Sequence, residues 1–358
     1  MRQLASIKEV SALYPIEGKD RIELAQIDGW SVIVKKGEFN VGSKCVYVEI
    51  DSVLPEVEQF EFLRNKNFRI KTMKMAGVVS QGICFPLDIL PKKNYNIGED
   101  VTDVLGIKQY EPTMDTERDA CDKKAVSPKY PKWLMRFKWF RQIAYKRNHR
   151  EGKGFPSFIS KTDETRIQNM PFILSDKRPF IVTEKVDGQS GTWALVKKNG
   201  LFKPKYEYIV CSRNIRLYNK DNSSYWRVSE KYNIENKLKE MIGDNEWIAI
   251  QGECVASNVQ GNKYNVKEPD MYAFNVILPQ GRMGSIEAAA FVTKHGMKFV
   301  PILDTEYVLP DTVNEMLDYA HSKSAIGDTL REGVVVRSRD GKTSFKAVDP
   351  LFLLKYDE

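Results

Sequence analysis

The chain has 358 residues, of which 42% are hydrophobic and 29% are charged, and its formal net charge is +7. This length and composition predict about two globular domains rather than a fibrous or disordered chain. The modest positive charge allows a polyanionic partner without requiring one.

Cysteines, histidines and apolar runs exclude several protein classes. The five cysteines lack the C-x-x-C spacing of a zinc site, and their odd number argues against a complete disulfide framework. His149, His295 and His321 are too scattered to suggest a histidine metal centre, so any catalysis must depend on lysine, arginine and carboxylates. The chain has neither a signal-peptide core nor an apolar run of the roughly 18 residues that span a membrane. We therefore expect a soluble intracellular protein, cytoplasmic or nuclear, without a membrane partner.

Residues 1–108 carry the pattern of a small β-barrel. Short apolar or alternating runs are separated by glycine and proline, as in RIELAQIDGWSVIVKKGEF and GVVSQGICFPLDIL. Asp28-Gly29 predicts a tight turn between two of these strands. The spacing fits a five-stranded OB-like barrel, and another small β-barrel fits nearly as well. The cations that could line a nucleic-acid groove on this barrel are Lys35, Lys36, Lys44, Arg64, Lys66 and Arg69.

Residues 109–155 break this rhythm, and we interpret them as a basic linker. Trp133, Phe137, Phe140 and Ala144 recur at helical spacing, which predicts an amphipathic helix packed on a neighbouring element. The alternative is a basic surface that follows a phosphate backbone. Its cations would be Arg136, Lys138, Arg141, Lys146, Arg147 and Arg150.

Residues 156–358 alternate predicted strands and helices, which is typical of an α+β domain. The predicted strands are PFIVTEKV, GTWALVKK, YEYIVCS, EWIAIQGECVAS, MYAFNVIL, GVVVRS and TSFKAV. The predicted helices are SEKYNIENKLKEMI, SIEAAAFVTKHG and TVNEMLDYAHSK. Polar residues stand at several of the strand ends, where clefts form.

The stretch TEKVDG places Lys185 between two carboxylates, Glu184 and Asp187, and is followed by an apolar alternation. At its ordinary pKa of about 10.4, only roughly one lysine amine in a thousand is neutral at neutral pH. A nucleophilic lysine therefore needs nearby positive charge, a metal ion or desolvation to lower its pKa. Alone, K-x-D-G is a weak signal that a surface turn explains equally well.

Further polar groups follow Lys185 in a defined order on successive strands. They are Ser212-Arg213-Asn214, Gln251-Gly252-Glu253, Tyr272-Ala273-Phe274-Asn275, Glu332-Gly333 and Ser344-Phe345-Lys346. Together with Lys185, this series resembles the signature of the covalent nucleotidyltransferases, which include polynucleotide ligases and messenger-RNA capping enzymes. The resemblance covers residues 156–358 and implies an ATP-grasp-like ligase domain with antiparallel sheets and flanking helices.

The resemblance implies a catalytic role for four residues. Lys185 would attack the α-phosphate of ATP and form a phosphoramidate bond to AMP. Lys346 would neutralise the α-phosphate and help to depress the pKa of Lys185. Asp187 and Glu332, together with Glu253, would lie near a divalent Mg²⁺ or Mn²⁺ ion.

The resemblance also implies a nucleotide-binding set. Glu253 would accept hydrogen bonds from the ribose, and Arg213 would hold a phosphate or the ribose. Phe274, or less favourably Tyr272, would stack on the base. Glu184 would accept a hydrogen bond from the adenine amino group, which favours ATP over GTP. Arg166, in the segment 161–168, is a further candidate for a phosphate or substrate contact.

Two positions depart from the family pattern. The last motif often reads K-x-K, whereas Lys346 is followed by Ala347 and Val348, so the second basic role would be vacant or would fall to another residue such as Lys355. Ser190 stands where related RNA ligases carry asparagine.

The order of the two domains narrows the resemblance to RNA ligase family 5. DNA ligases and capping enzymes carry an OB domain after the last motif, but here only about a dozen residues follow Lys346 and the barrel comes first. The stretches DGWSVIVKKGEFNVGSKCVYVEIDSVLP and SKTDETRIQNMP also look like that family.

The resemblance implies an ATP-dependent RNA ligase that joins 3′-hydroxyl and 5′-phosphate ends of nicked RNA through lysyl-AMP and an AMP-capped 5′ end. We expect a monomer. The alternatives are a DNA nick ligase, a capping-type transferase that uses GTP, and a catalytically inactive RNA-binding relative.

Overall fold

The computed structural model describes residues 3–91, 94–110, 154–161, 163–198, 204–218, 220, 223–257 and 259–356. Nearly all of the predicted linker, including its helix and its basic surface, lies outside the described residues. The two units on either side of it are described below.

The main sheet of the amino-terminal unit has five antiparallel strands in the order β3-β2-β1-β4-β8. Its strands are β1 (Ala5–Pro15), β2 (Ile22–Ile27), β3 (Trp30–Lys35), β4 (Lys44–Val48), β5 (Ser52–Val53), β6 (Thr72–Met75), β7 (Val78–Gln81), β8 (Ile83–Phe85) and β9 (Lys108–Gln109). The long β1 pairs with β4 over its first half and with β2 over its second, and its register shifts between Val10 and Ala12. This irregularity bends the strand, so that β3 at one edge lies against β8 at the other. The OB-like barrel is therefore confirmed.

Alternation of apolar and polar residues gives the barrel its core. Ile7, Ile27, Trp30, Val46 and Tyr47 are fully buried inside it. Asp28 has φ 49° in the turn between β2 and β3, which an aspartate tolerates and which the Asp-Gly pair predicted.

Within its described residues, the carboxy-terminal unit contains two five-stranded sheets and five α-helices. The strands are β10 (Thr165–Arg166), β11 (Pro179–Lys185), β12 (Gln189–Lys198), β13 (Lys205–Cys211), β14 (Trp247–Val255), β15 (Asp270–Leu278), β16 (Gly281–Arg282), β17 (Ile302–Val308), β18 (Gly333–Ser338) and β19 (Ser344–Val348). The helices are α1 (Ser224–Lys231), α2 (Ile234–Met241), α3 (Ser285–Lys294), α4 (Val313–Ala320) and α5 (Pro350–Tyr356).

One sheet has the order β10-β19-β18-β11-β17, and the other has the order β13-β12-β14-β15-β16. All pairings are antiparallel except that of β10 with β19. Helices α1, α2 and α3 share a buried core with the second sheet, and α4 shares one with the first. The predicted α+β architecture is confirmed.

The helix predicted over residues 229–242 is wrong in one respect. It divides into α1 and α2 at Asn233, whose φ of 49° is left-handed and interrupts the helical hydrogen bonds. Asparagine adopts this conformation more readily than most residues. The sequence patterns predicted neither β17 nor α5. Within the described residues, no helix combines the length and apolar character needed to cross a membrane.

The two units are in direct contact. The indole Nε1 of Trp30 donates a 2.8 Å hydrogen bond to Asn169, and the Asn169 amide donates to Glu49 at 2.5 Å. Leu353 of α5 packs against the core of the barrel. The contact thus involves the β2–β3 turn, the end of β4 and the last helix.

Candidate active site

Lys185 is the last residue of β11, at the point where the chain leaves the first sheet for the second. Gly188 lies in the connection to β12, against the backbone of β14. A Cβ atom there would come within 2.6 Å of the Cys254 carbonyl oxygen, so glycine is needed for this close approach. The turn therefore holds Lys185 and Asp187 beside Glu253 of β14.

Glu332 comes immediately before β18, which pairs with β11 along its whole length. The Lys185 Nζ atom donates to its Oε2 atom at 2.5 Å, and the two side chains are 26% and 14% exposed. Burial lowers the pKa of Lys185, but the negative charges of Glu332 and Glu253 outweigh burial and the net pKa is raised. The protein's own groups therefore favour the charged amine, contrary to the expected depression.

Asp187 and Glu253 complete a set of three carboxylates around Lys185. Burial raises the pKa of Asp187 to about 6, with a further contribution from Glu332 and opposition from Lys263. Burial likewise raises the pKa of Glu253 to about 8, where Glu332 and Asp187 add to the shift and Lys185 opposes it. The three acids repel one another in a partly buried space that attracts cations.

Lys346 lies on β19, two strands from Lys185 in the same sheet. Burial, reinforced by the charges of Arg166 and Lys185, lowers the pKa of Lys346 to about 8, although Asp163 opposes the shift. Arg166 stands directly beside Lys346 in the parallel pair of β10 and β19. Lys346, rather than Lys185, is thus the lysine whose pKa the protein depresses.

Asp163 is an acidic side chain that pairs with the cations of this region. It lies 3.1 Å from the Lys346 ammonium and 3.6 Å from the Arg213 guanidinium. The charge of Arg213 also acts on Glu253, so these cations lie along the edge of the acidic set. The guanidinium of Arg166 is 3.5 Å from Asp51 of the barrel, and its Nε and Nη1 atoms have no hydrogen-bond partner among the described residues.

The predicted base-binding residues lie on β15, which pairs Tyr272 with Glu253, and on β11, where Glu184 precedes Lys185. Tyr272 and Phe274, which share a face of β15, are half-buried against Val186. Glu184 is 1% exposed, and its carboxylate accepts bonds from Ser324 Oγ at 2.5 Å and from the Ala325 backbone at 2.8 Å. The chain itself therefore uses the Glu184 oxygens to fix the loop before β18.

Sequence reasoning missed two contacts of Asp187. The Lys263 ammonium lies 2.5 Å from its carboxylate, and the Tyr264 hydroxyl accepts a 2.8 Å bond from its backbone N–H. Both residues belong to a loop that no strand or helix pattern marks. The sequence offers no signal that would place them beside Asp187.

The remaining predictions concern more distant residues. Lys355, suggested as a second basic group, lies near the Tyr356 ring on α5. On the barrel, Lys35, Lys36 and Lys66 are exposed. Arg64 and Arg69 form ion pairs with neighbouring acids, and Lys44 donates to the Tyr95 carbonyl.

A divalent metal ion is compatible with the donors of this site. Within the described residues, no three or more acidic, histidine or cysteine side chains are arranged to enclose an ion by themselves. Asp187, Glu253 and Glu332 nevertheless offer only oxygen donors, and the raised pKa values of Asp187 and Glu253 show mutual repulsion that a cation would relieve. This fits Mg²⁺ or Mn²⁺, which commonly keep water or phosphate oxygens among their ligands.

Two family models match the chain. An OB-fold domain model matches residues 4–87, and an RNA ligase model matches residues 178–356. Their order along the chain agrees with the barrel and the two-sheet unit described above. No curated protein matches the sequence.

Solved structures of the RNA ligase of Naegleria gruberi are similar to this chain throughout its length. The structure with pyrophosphate has 29% sequence identity and a TM-score of 0.81, with 100% of this chain and 99% of that chain covered. A glutamate-to-alanine mutant with ATP and Mn gives the same identity and TM-score, with 100% of both chains covered. A second such mutant, with AMP and Mn, has 29% identity and a TM-score of 0.80, with 99% of both chains covered.

Proposed function

Because this chain belongs to the RNA ligase family, it is an ATP-dependent RNA ligase, and we propose that Lys185 carries AMP between its reaction steps. The observation that best supports this role is the position of Lys185. It ends an interior strand among three carboxylates from separate segments, with Lys346 on the same sheet. A surface lysine in a turn would not gather such partners.

In the proposed first step, the neutral Lys185 amine attacks the α-phosphorus of ATP. A phosphorus–nitrogen bond forms, the bond to the bridging oxygen breaks, and pyrophosphate leaves. In the second step the 5′-phosphate of RNA attacks the same phosphorus and releases Lys185. In the third, a 3′-hydroxyl attacks the 5′-phosphorus, which forms the phosphodiester bond and expels AMP.

Lys346, Arg166 and Arg213 would stabilise the phosphate oxygens during these transfers. Their charges lie together on one edge of the acidic set and are already in place before a ligand arrives, which is the preorganisation that phosphoryl transfer requires. Asp163 would have to release Lys346 and Arg213 when phosphates bind. Tyr272 and Phe274 would hold the base, and Glu253 the ribose.

Asp187, Glu332 and Glu253 would hold the divalent ion, directly or through water. When bound, the ion would neutralise phosphate charge and reduce the electrostatic pull of the carboxylates on the Lys185 ammonium. The similar structures that contain Mn with ATP or AMP support a divalent ion as the cofactor. The role of the chain's own groups is to keep Lys185 close to the α-phosphorus and to accept its proton.

We further propose that residues 1–108 form an OB domain, 109–155 a basic linker and 156–358 the ligase domain. The substrate would be a nick in duplex RNA with 3′-hydroxyl and 5′-phosphate ends, joined by a monomer. The barrel would hold the 3′-hydroxyl strand, for which Lys35, Lys36 and Lys66 are exposed cations.

The decisive test is covalent labelling with α-labelled ATP and Mn²⁺, followed by denaturation of the protein. Wild type should retain label, Lys185→Ala should retain none, and the exposed control Lys177→Ala should match wild type. Label in Lys185→Ala would disprove the assignment of the nucleophile. GTP in place of ATP, and DNA in place of RNA at the 3′-hydroxyl end, would separate this function from capping-type transfer and DNA sealing.

A further inference from the structure

The loop that follows β14 holds Lys263 firmly beside Asp187. The Asn262 side chain accepts from the Val266 N–H at 2.8 Å and donates to the Val266 carbonyl at 3.1 Å, which closes the loop on itself. Tyr264 then accepts the bond from the Asp187 backbone. Two adjacent residues thus contact Asp187, Tyr264 at its backbone and Lys263 at its carboxylate. The hydrogen bonds of the loop therefore fix the position of the ion pair.

The other side of the Lys263 ammonium faces two aromatic rings of α5. The Nζ atom lies 4.7 Å from the centre of the Phe352 ring and 4.8 Å from that of Tyr356. Ring faces attract ammonium groups, so the amine has favourable partners there that do not involve Asp187. The side chains of Lys263 and Asp187 are only 11% and 12% exposed, so water screens their interaction weakly.

We propose that Lys263 is a built-in counterion of Asp187 that competes with the divalent metal ion for this carboxylate. This inference rests on the proposed metal-binding role of Asp187. Two lysines at the turn are each 2.5 Å from one carboxylate, Lys185 from Glu332 and Lys263 from Asp187. An ion that takes an oxygen of Asp187 must displace Lys263 or share the oxygen with it.

The aromatic rings reduce the cost of displacement because they can retain the ammonium. The counterion therefore satisfies Asp187 when metal is scarce and yields the carboxylate when metal is abundant. Removing the charge of Lys263 should increase the affinity for metal, whereas a residue that only maintained the fold would not act in this direction. If Lys263 instead bound a nucleotide phosphate, its removal would weaken anion binding and leave metal binding unchanged.

The experiment is a titration of the full chain with Mn²⁺ alone, in which free aquo-Mn²⁺ is measured by electron paramagnetic resonance. Lys263→Met and Lys263→Gln should each bind Mn²⁺ about tenfold more tightly than wild type, since a like charge next to the ion is removed. Lys263→Gln keeps a hydrogen-bond donor for Asp187, which protects the fold. Lys263→Arg, which keeps the charge, and the exposed control Lys267→Met should resemble wild type.

The outcomes separate the two proposals. Equal or weaker Mn²⁺ binding by both neutral variants would overturn the counterion role, as would an unchanged Mn²⁺ affinity combined with weaker pyrophosphate binding. In the double variant Asp187→Asn with Lys263→Gln, the increase in Mn²⁺ affinity should disappear. A gain that survives in the double variant, or a lack of Mn²⁺ binding by all of these proteins, would overturn the metal role of Asp187 itself.

Discussion

The ammonium of Lys185 lies 2.5 Å from a carboxylate oxygen of Glu332, although 147 positions separate the two residues in the sequence. Strand β18 brings them together because it pairs with β11 in a register that sets Lys185 opposite Gly333. The contact stabilises the charged amine, which cannot attack phosphorus. Glu332 therefore opposes deprotonation of the proposed nucleophile.

Glu332→Gln should lower the pKa of Lys185, because it removes the strongest of the charges that raise it. Acetylation of Lys185 by acetic anhydride, measured by mass spectrometry across pH with metal chelated, should shift to lower pH. Lys177, which is 46% exposed and paired with Asp311, provides an internal reference in the same digest. An unchanged acetylation profile would contradict this role of Glu332.

The local patterns of the sequence were sufficient to predict most strands of the fold. Alternation along β12 and β15 and the Asp28-Gly29 turn are properties of neighbouring residues, so they can be read without the structure. Strand β17 was missed because its residues Ile302–Val308 are exposed or half-buried throughout and carry no clear apolar face. The break at Asn233 was missed because the apolar spacing continues through it.

The candidate site was only partly predictable for a related reason. The resemblance placed Lys185, Glu253, Glu332 and Lys346 in one site, and the structure does bring them together. Their electrostatics were not predictable, since the raised pKa of Lys185 depends on distances between strands that are far apart in the sequence. Lys263 lies in a loop whose position is set by tertiary contacts alone.

Lys346→Met should stabilise the folded protein while it abolishes adenylation. The folded-state pKa of Lys346 is about 8, below its ordinary value of 10.5, because burial penalises its charge. Below pH 8 both states are protonated and the penalty is complete, and as pH rises towards 10.5 the folded state has already lost the proton and the penalty fades. The variant should gain roughly 2 to 4 kcal/mol at pH 7 and little near pH 10.5.

Urea unfolding at the two pH values measures this difference, and the exposed Lys342→Met serves as the control. An advantage that grows with pH would contradict the sign of the shift. Loss of stability at pH 7 would show that the contact with Asp163 outweighs the cost of burying the charge. Either result would show that the buried charge of Lys346 does not cost the folded protein stability at neutral pH. Lys346 would then have a structural role.

Asp163→Asn should increase the affinity for pyrophosphate, because Asp163 occupies the cations that phosphates would use. Its carboxylate is 3.1 Å from Lys346 and 3.6 Å from Arg213. Calorimetry at pH 6.5, where Lys346 is protonated, should show a gain of about threefold, a modest value because the Asp163 and Arg213 side chains are substantially exposed. Asp176→Asn, which alters a carboxylate paired with Arg178 elsewhere, should have no effect. Weaker binding would instead indicate that Asp163 orients these cations for the ligand.

Gly29→Ala should disturb the contact between the barrel and the ligase unit. A Cβ atom at Gly29 would lie 2.7 Å from the Gln168 Cα atom, and a backbone atom cannot move aside as a flexible side chain can. The two backbone segments must move apart to relieve this clash. The free energy of unfolding should therefore fall by about 1 to 3 kcal/mol, a typical cost of overpacking. Because Arg166 lies two residues from Gln168 and directly beside Lys346, adenylation should slow as well.

Gly154→Ala, where a Cβ atom meets nothing within 4 Å, is the matched control for both urea unfolding and labelling. If Gly29→Ala lost stability but labelled at the wild-type rate, the contact would hold the units together without positioning Arg166.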